Sequence, residues 1–194
     1  MKNLEKAFAL FDAYNRNSPE HLIHEGTDYP VEYFYAVKLY EWVTKLAPDA
    51  SEGLLLASRA QHIGRWEIAR NSYPEGRVGY LKWRTDLSKF HASKAAEILG
   101  SVGYDSETIE RVQQIIRKQG IKADPEIQTM ENALCLVFLQ YQYDNLIGKT
   151  SEEKMINILQ KTWAKMSDPG RNMALSLHYS DEGKRLINMA LNAG

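Results

Sequence analysis

The residues best suited to chemistry lie in one stretch of the chain, residues 59–84, which we call the cationic segment. It holds six cationic and two acidic side chains, in a chain whose net charge is −1. Aromatic side chains are interleaved with the cations, His62 lies within the segment and His91 follows it. Guanidinium groups bind phosphate in a bidentate manner and aromatic faces stack on flat groups. The segment therefore predicts a site for a compact anion that carries a planar group.

Two interpretations of the cations remain open at this level. Arg70 and Arg77 bracket the turn-forming sequence NSYPEG, whose backbone amides and flanking guanidinium groups could close around phosphate oxygens. The alternative is a solubilising surface on which arginine and tryptophan stack on each other. The predicted substrate-binding side chains are Arg59, Gln61, Arg65, Trp66, Arg70, Tyr73, Arg77 and Arg84.

The two histidines fall on different predicted helices, His62 in RAQHIGRW and His91 in KFHASKAAEILG. Histidines on adjacent helices of a bundle can share a ligand or a metal ion, and either ring could act as a general base. A half-buried histidine that is hydrogen-bonded to a neighbour is the competing interpretation. We predict His62 and His91 as catalytic residues.

A third candidate, Glu131, comes from the helical sequence DPEIQTMENALCLVFL. Asp124, Gln128 and Glu131 follow i, i+4, i+7 spacing and share one helix face just before the apolar run. Glu131 is the carboxylate best placed to meet His62 or His91, as a catalytic residue or a metal ligand. A solvated helix face is the alternative.

Length and composition indicate one globular domain that spans residues 1–194. No apolar run reaches the roughly 18 residues that span a bilayer, and the first residues do not resemble a signal peptide. A single cysteine, Cys135, agrees with a reducing compartment, so we expect a cytoplasmic protein without a membrane partner. The near-neutral charge argues against a nucleic-acid coat protein.

Helix-start and helix-stop signals recur, and no alternating segment indicates strands, so we expect an all-α, compact single-domain bundle. Asp49 with Glu52, Asp105 with Ser106, and Asp124 with Pro125 resemble helix starts. The predicted elements are helices over residues 3–14, 30–46, 78–99 and 127–146, a third helix that carries RAQHIGRW, a helix from Asp105 closed by Gly120, a helix from Thr150 to near Met166, a polar loop with His21 and His24, and a last turn or two over residues 180–191.

The strings RAQHIGRW, YLKWR, KFHA, DPEIQTMEN and KTWAKMS are long and rich in rare residues. Through them the chain resembles the domain-of-unknown-function family 4202 over most of its length. This resemblance supplies a family without a reaction.

The order of parts also resembles, more distantly, the HD superfamily of all-α metal-dependent phosphohydrolases. In this comparison Gln61 and His62 take the place of the His-Asp pair, His91 that of a later histidine, and Glu131 with Asn132 that of the final aspartate. The resemblance implies an HD-like fold and one divalent transition metal held by His62, His91 and Glu131, or no metal, because Gln and Asn are weak ligands.

Three functions follow from these observations. The leading hypothesis is an HD-like phosphohydrolase acting on a nucleotide or another phosphorylated small molecule, by metal-activated water or by a general base. The second is a non-catalytic anion- or nucleotide-binding sensor with a degenerate metal site. The third is an RNA-associated protein that stacks and clamps a single strand, which the near-neutral charge disfavours.

Overall fold

Helix starts in this protein are set by short polar side chains that accept hydrogen bonds from the first backbone amides. An Asp105 carboxylate oxygen accepts from the Thr108 amide at 2.7 Å, and Asp124 accepts from the amides of Glu126 and Ile127. These two predicted starts are confirmed. The predicted box of Asp49 with Glu52 is wrong, because Ser51 is the residue that caps the third helix.

The structure is a computed structural model that describes residues 2–121 and 123–192. These residues form two compact units, within residues 1–121 and 122–194. The first unit contains α1 (Lys2–Asn15), β1 (His21–His24), β2 (Thr27–Pro30), α2 (Val31–Leu46), α3 (Glu52–Ala60), α4 (Gly76–Val102) and α5 (Ser106–Ile116), with short 3-10 turns at Arg65–Glu67 and Arg70–Ser72. The second contains α6 (Pro125–Tyr141), α7 (Tyr143–Ile147), α8 (Glu152–Lys165), α9 (Asp168–Leu175) and α10 (Asp181–Asn192).

The all-α class is confirmed, and the small antiparallel sheet of β1 and β2 is an addition to it. The HD-like assignment and the single-domain organisation stay predictions. Among the described residues, no helix combines the length and apolar character that crossing a bilayer requires.

The polar loop predicted around His21 and His24 is a β-hairpin, so that prediction is wrong. Glu25 and Gly26 have φ angles of 50° and 77°, the left-handed conformation that a tight two-residue hairpin turn needs. His21 is exposed, as predicted, whereas His24 is half-buried with its ring 4.9 Å from that of Phe34. Two strands of four residues are too short to give a clear alternating pattern.

The core of the first unit is built around α3. Leu54, Leu56, Ala57 and Ala60 are fully buried on this helix, which contacts α1, α2 and α5. Burying apolar side chains on several sides fixes the end of α3 firmly in the unit. The turn that follows α3 therefore begins from a rigid support.

The second unit differs from the prediction in three places. The predicted helix over residues 127–146 is wrong as one element, because it is interrupted at Gln142 between α6 and α7. Helix α9 was missed, and α10 is a full helix of 12 residues rather than a last turn or two. The start of α9 is held by buried Asn132, which donates to the Ser167 hydroxyl at 2.8 Å and accepts from the Ser167 amide at 3.0 Å. Leu186, Ile187 and Ala190 bury one face of α10 and make it a structural element.

Two glycines of α4 differ in the space around them. Substituting each one tests how closely the preceding loop packs against this helix. A Cβ on Gly79 would lie 1.9 Å from the backbone oxygen of Pro74, whereas a Cβ on Gly100 would meet nothing within 4 Å. We expect Gly79→Ala to lower the free energy of unfolding by about 1–3 kcal/mol, since a backbone atom cannot swing aside. Gly100→Ala should raise it by up to about 1 kcal/mol through helix propensity. Urea unfolding of both variants checks this, and equal shifts would contradict the close approach.

Candidate functional site

The turn after α3 places the first candidate residue. Helix α3 ends at Ala60, so the prediction that His62 sits on this helix is wrong, and His62 lies in the turn that follows it. Gly64 has a φ of 64°, and a Cβ there would lie 2.8 Å from the Tyr14 ring and 3.0 Å from the Phe90 ring. Glycine at this position therefore lets the turn adopt a left-handed conformation and pass closely between the Tyr14 ring of α1 and the Phe90 ring of α4.

The two histidines are neighbours. Their ring centroids are 5.9 Å apart, with the rings inclined at 66°. His91 is buried, and its Nδ1 lies 2.7 Å from the carbonyl oxygen of Ile63. A carbonyl only accepts, so Nδ1 carries the proton and donates it, and in the neutral ring Nε2 keeps a free electron pair.

The surroundings of both rings favour the neutral imidazole, which carries one proton, over the charged imidazolium. Burial lowers the pKa of His91 to about 4, an effect that the hydrogen bond to Ile63 opposes and the charge of Arg65 reinforces. Burial also lowers the pKa of His62 to well below its ordinary value, and nearby cations lower it further. These rings can accept a proton or donate an electron pair to a metal.

His62 and His91 line one cavity of about 510 Å³, which we call the histidine cavity. Cations from α4, from the turn after α3 and from the end of α5 also line it, and no carboxylate does among the described residues. Tyr80 and Trp83 form an aromatic part of the wall, with ring centroids 5.9 Å apart. Its cationic side chains are Arg65, Arg84, Lys89, Arg117 and Lys118.

A second cavity of about 760 Å³, the loop cavity, is lined mainly by the irregular segment between α3 and α4. Four of the predicted substrate-binding residues line it: Arg65, Trp66, Arg70 and Tyr73. Arg65 and Trp83 line both cavities, so the two share part of a wall.

The arginines predicted to bind substrate differ in their surroundings. Arg65 and Arg84 line the histidine cavity, whereas Arg70 donates to the backbone oxygens of Tyr73 and Pro74 within its own loop. Arg77 is exposed near the start of α4 and is not among the residues that line either cavity.

Arg59 lies in the core rather than in a cavity. Its guanidinium group forms an ion pair with Asp12 and lies over the rings of Phe8 and Tyr40 at 5.2 and 5.5 Å. The residue is only 9% exposed. These contacts favour a structural role for Arg59, and its predicted part in substrate binding has no geometric support.

Sequence reasoning missed Lys89, Arg117 and Lys118 as members of the cluster. Arg117 and Lys118 follow the last turn of α5, and Lys118 has a left-handed φ of 56°. The fold brings these residues to a cationic segment that precedes them by more than 30 positions in the chain. Their signal in the sequence was the pair of cations just before Gly120, the predicted helix stop.

Gln61 is another buried polar residue of the histidine cavity. Its Nε2 donates to the backbone oxygen of Ile116 at 3.1 Å, which fixes the orientation of the amide. Its Oε1 is buried and has no hydrogen-bond partner among the described residues. A buried acceptor of this kind costs free energy unless a bound group donates to it, which suits a role in binding.

The second unit contributes Glu131 and Asn132. Glu131 is buried, and Lys165 Nζ lies 3.9 Å from its Oε1. Asn132 is engaged by Ser167 and also accepts from Gln128 at 3.1 Å. The meeting of Glu131 with His62 and His91 stays a prediction. Among the described residues, no group of three or more His, Cys, Asp or Glu side chains is arranged to hold a metal ion.

The pKa of His91 predicts how stability depends on pH. The unfolded chain takes up this proton near pH 6.5 and the folded chain only near pH 4, so the free energy of unfolding falls as pH drops through that window. The full effect is on the order of 3 kcal/mol. His91→Asn keeps a donor for Ile63 and removes the titration, so its stability should fall less. We would measure urea unfolding at neutral pH and near pH 4.

Exposed His178 supplies the control for this experiment. His178→Gln should keep the wild-type pH dependence. An equally steep loss of stability in His91→Asn would show that other groups cause it.

One of three comparisons with known proteins finds a match, and it supports the family resemblance stated from the sequence. No curated protein and no solved structure matches the chain. A family model described as a domain of unknown function (DUF4202) matches residues 5–187, which is nearly the whole sequence. The chain therefore belongs to the DUF4202 family.

Proposed function

We propose that the protein binds a phosphorylated small molecule in the histidine cavity and hydrolyses its phosphate ester. Nucleotides are one class of such ligands. A ligand of this kind agrees with the predicted cytoplasmic location and requires no membrane partner. The RNA-associated alternative stays a prediction with less support, because the net charge of the chain is only −1.

One observation carries the proposal: five cationic side chains line a single cavity with no carboxylate among its described lining residues. Arg65, Arg84 and Lys118 lie near enough to His62 to lower its pKa. Like charges held together repel each other, and an anion that enters the cavity relieves that repulsion. Phosphate fits such a site because its oxygens accept several charge-assisted hydrogen bonds at once.

The neutral histidines supply the chemical step. His62 accepts a proton from a water molecule as the water oxygen forms a bond to phosphorus and the ester P–O bond breaks. The proton then passes to the departing alkoxide, and the surrounding guanidinium and ammonium groups stabilise the charge on the phosphoryl oxygens. His91 is the second base of the pair, and its hydrogen bond to Ile63 keeps the electron pair on Nε2.

Two of the three metal ligands that the HD-like resemblance implies, His62 and His91, suit a metal ion. Two neutral imidazole rings are good ligands for a divalent transition metal, and the bond from His91 to Ile63 orients its ring in the manner typical of metal ligands. Such a metal, once bound, would acidify a water molecule. The third predicted ligand, Glu131, belongs to the second unit, and the positive field around His62 opposes a bare cation.

The second candidate function is a sensor that binds the same ligand without turnover. The engagement of Asn132 and Gln61 favours it, since both residues stand where the HD superfamily has metal ligands. Asn132 holds the start of α9, and Gln61 binds the Ile116 carbonyl. Neither amide can replace a carboxylate or an imidazole as a strong ligand.

Binding is tested first, by calorimetry with inorganic phosphate and a panel of phosphate esters. Arg84→Gln removes one cation from the cavity and should weaken binding about tenfold, the effect of losing a charge-assisted hydrogen bond. Lys82→Gln removes an exposed cation from the same helix, outside both cavities, and should leave the affinity unchanged.

The outcome separates the cavity from the rest of the cationic segment. If Arg77→Gln weakens binding and Arg84→Gln does not, phosphate binds at the loop that Arg77 flanks. Equal losses in Arg84→Gln and Lys82→Gln would indicate a diffuse charge effect and contradict a defined site.

Hydrolysis is tested by release of inorganic phosphate from the same esters. A general base contributes about 10²–10⁴ in rate, so His62→Ala should lower kcat by at least about a hundredfold with a small change in ligand affinity. Metal content per chain, measured by elemental mass spectrometry on wild type and His62→Ala, separates the two routes. A stoichiometric metal that the variant loses supports metal-assisted attack. Binding without phosphate release in wild type would contradict hydrolysis and support the sensor.

A further inference from the structure

The histidine cavity and the loop cavity are neighbours that share Arg65 and Trp83. Their volumes, about 510 and 760 Å³, both fall in the range of small-molecule sites. A phosphate group occupies only a fraction of one of them. The loop cavity therefore has room for the rest of a phosphorylated ligand whose phosphate lies in the histidine cavity.

The loop cavity has a different chemistry from its neighbour. Three carboxylates line it, from Glu20, Glu32 and Glu75, together with the guanidinium groups of Arg65 and Arg70. No carboxylate is among the described residues that line the histidine cavity. Carboxylates only accept hydrogen bonds, so the loop cavity favours groups that donate them.

Glu32 is the most strongly placed of these carboxylates. It lies in the first turn of α2, is 8% exposed and receives a hydrogen bond from the buried Ser18 hydroxyl. That donor and the positive end of the helix dipole stabilise its negative charge. Such a fixed, buried carboxylate on a cavity wall is pre-organised to receive donors from a ligand.

Arg65 lies between the two environments. Arg65 is an exposed residue that lines both cavities, and desolvation by the surrounding protein lowers its pKa. Glu32 and Glu20 oppose that effect, while Arg84 adds to it. Arg65 therefore feels carboxylates from one side and a cation from the other. Its guanidinium also lies 5.1 Å from the Trp83 ring centroid, in the shared wall.

Aromatic faces complete the loop cavity. Trp66 and Trp83 line it, and the Trp83 indole nitrogen donates to the Ile68 backbone oxygen at 2.8 Å, which holds the ring in place. Tryptophan faces bind both ammonium groups and the apolar faces of polyhydroxylated carbon chains. Carboxylates beside such faces serve either ligand.

We infer that the ligand has two parts, a phosphate in the histidine cavity and, at its other end, a group rich in hydrogen-bond donors that Glu32 and Glu20 receive in the loop cavity. The donors are amino groups or hydroxyl groups. This inference rests on the proposed function for the phosphate end. It adds that phosphate esters with plain alkyl chains are poor ligands.

The test uses three phosphate esters of equal carbon number, hexyl phosphate, aminohexyl phosphate and sorbitol phosphate, with inorganic phosphate as the reference. Calorimetry on the wild-type chain should show at least one donor-bearing ester binding about tenfold or more tightly than hexyl phosphate. In Glu32→Gln an amine loses one of its carboxylate partners, so the preference for aminohexyl phosphate should weaken. A preference for sorbitol phosphate should persist, because the glutamine oxygen still accepts.

Two further variants keep the result interpretable. Glu20→Gln changes an exposed carboxylate of the same cavity and carries the test if Glu32→Gln fails to fold. Glu41→Gln changes an exposed carboxylate of α2 that pairs with Lys38, outside the cavity, and should leave every affinity unchanged.

The outcomes separate this inference from the proposed function. If all three esters bind alike in wild type and in both cavity variants, the two-part ligand is overturned while phosphate binding stands. If neither inorganic phosphate nor any ester binds, both proposals are overturned.

Discussion

The hydrogen bond from His91 to the Ile63 carbonyl is the interaction on which the candidate site depends. It ties the middle of α4 to the turn that follows α3. Burial of a ring as polar as imidazole is tolerated here because the Ile63 carbonyl accepts a hydrogen bond from its N–H group. The same bond selects the tautomer and leaves Nε2 with its electron pair. With the turn fixed, His62 is held beside His91, and cavities form on either side of Arg65.

Cations that surround neutral histidines repel one another and disfavour the charged form of the histidine. The charges of Arg65, Arg84 and Lys118 each disfavour protonation of His62, so the field that would attract a phosphate also keeps the base free. The same field makes His62 a weak base, and the negative charge of a bound phosphate would offset that effect. An anion in the cavity offsets the repulsion among the cations, and the folded state gains stability from any ligand that supplies it.

Some helix starts could be predicted from local sequence signals, whereas contacts between residues far apart in the chain could not. The starts at Asp105 and Asp124 were predicted because a capping side chain and the amides it binds are near neighbours. Helix α9 was missed although Ser167, Asp168 and Pro169 form a local start signal, and the contact of Asn132 with that start is one that the sequence does not show. In the site, two histidines on different elements were expected to meet and do. Charge counting along the sequence, however, included Arg59, which pairs with Asp12, and missed Arg117, which only folding brings near.

Opposite charge in adjoining cavities gives the site a direction. An anion placed in the loop cavity would face three carboxylates beside Arg65 and Arg70, whereas in the histidine cavity it faces cations and no carboxylate among the described lining residues. A ligand with one anionic end and one donor-bearing end therefore has a single favourable orientation, with its phosphate beside the two imidazole rings. Arg65 lines both cavities and is affected by charges from each of them. The loop between α3 and α4 therefore influences the orientation of a ligand as well as the shape of the cavities. In the proposed function, orientation of this kind would bring the ester bond to His62 before any chemistry occurs, and positioning alone lowers a reaction barrier.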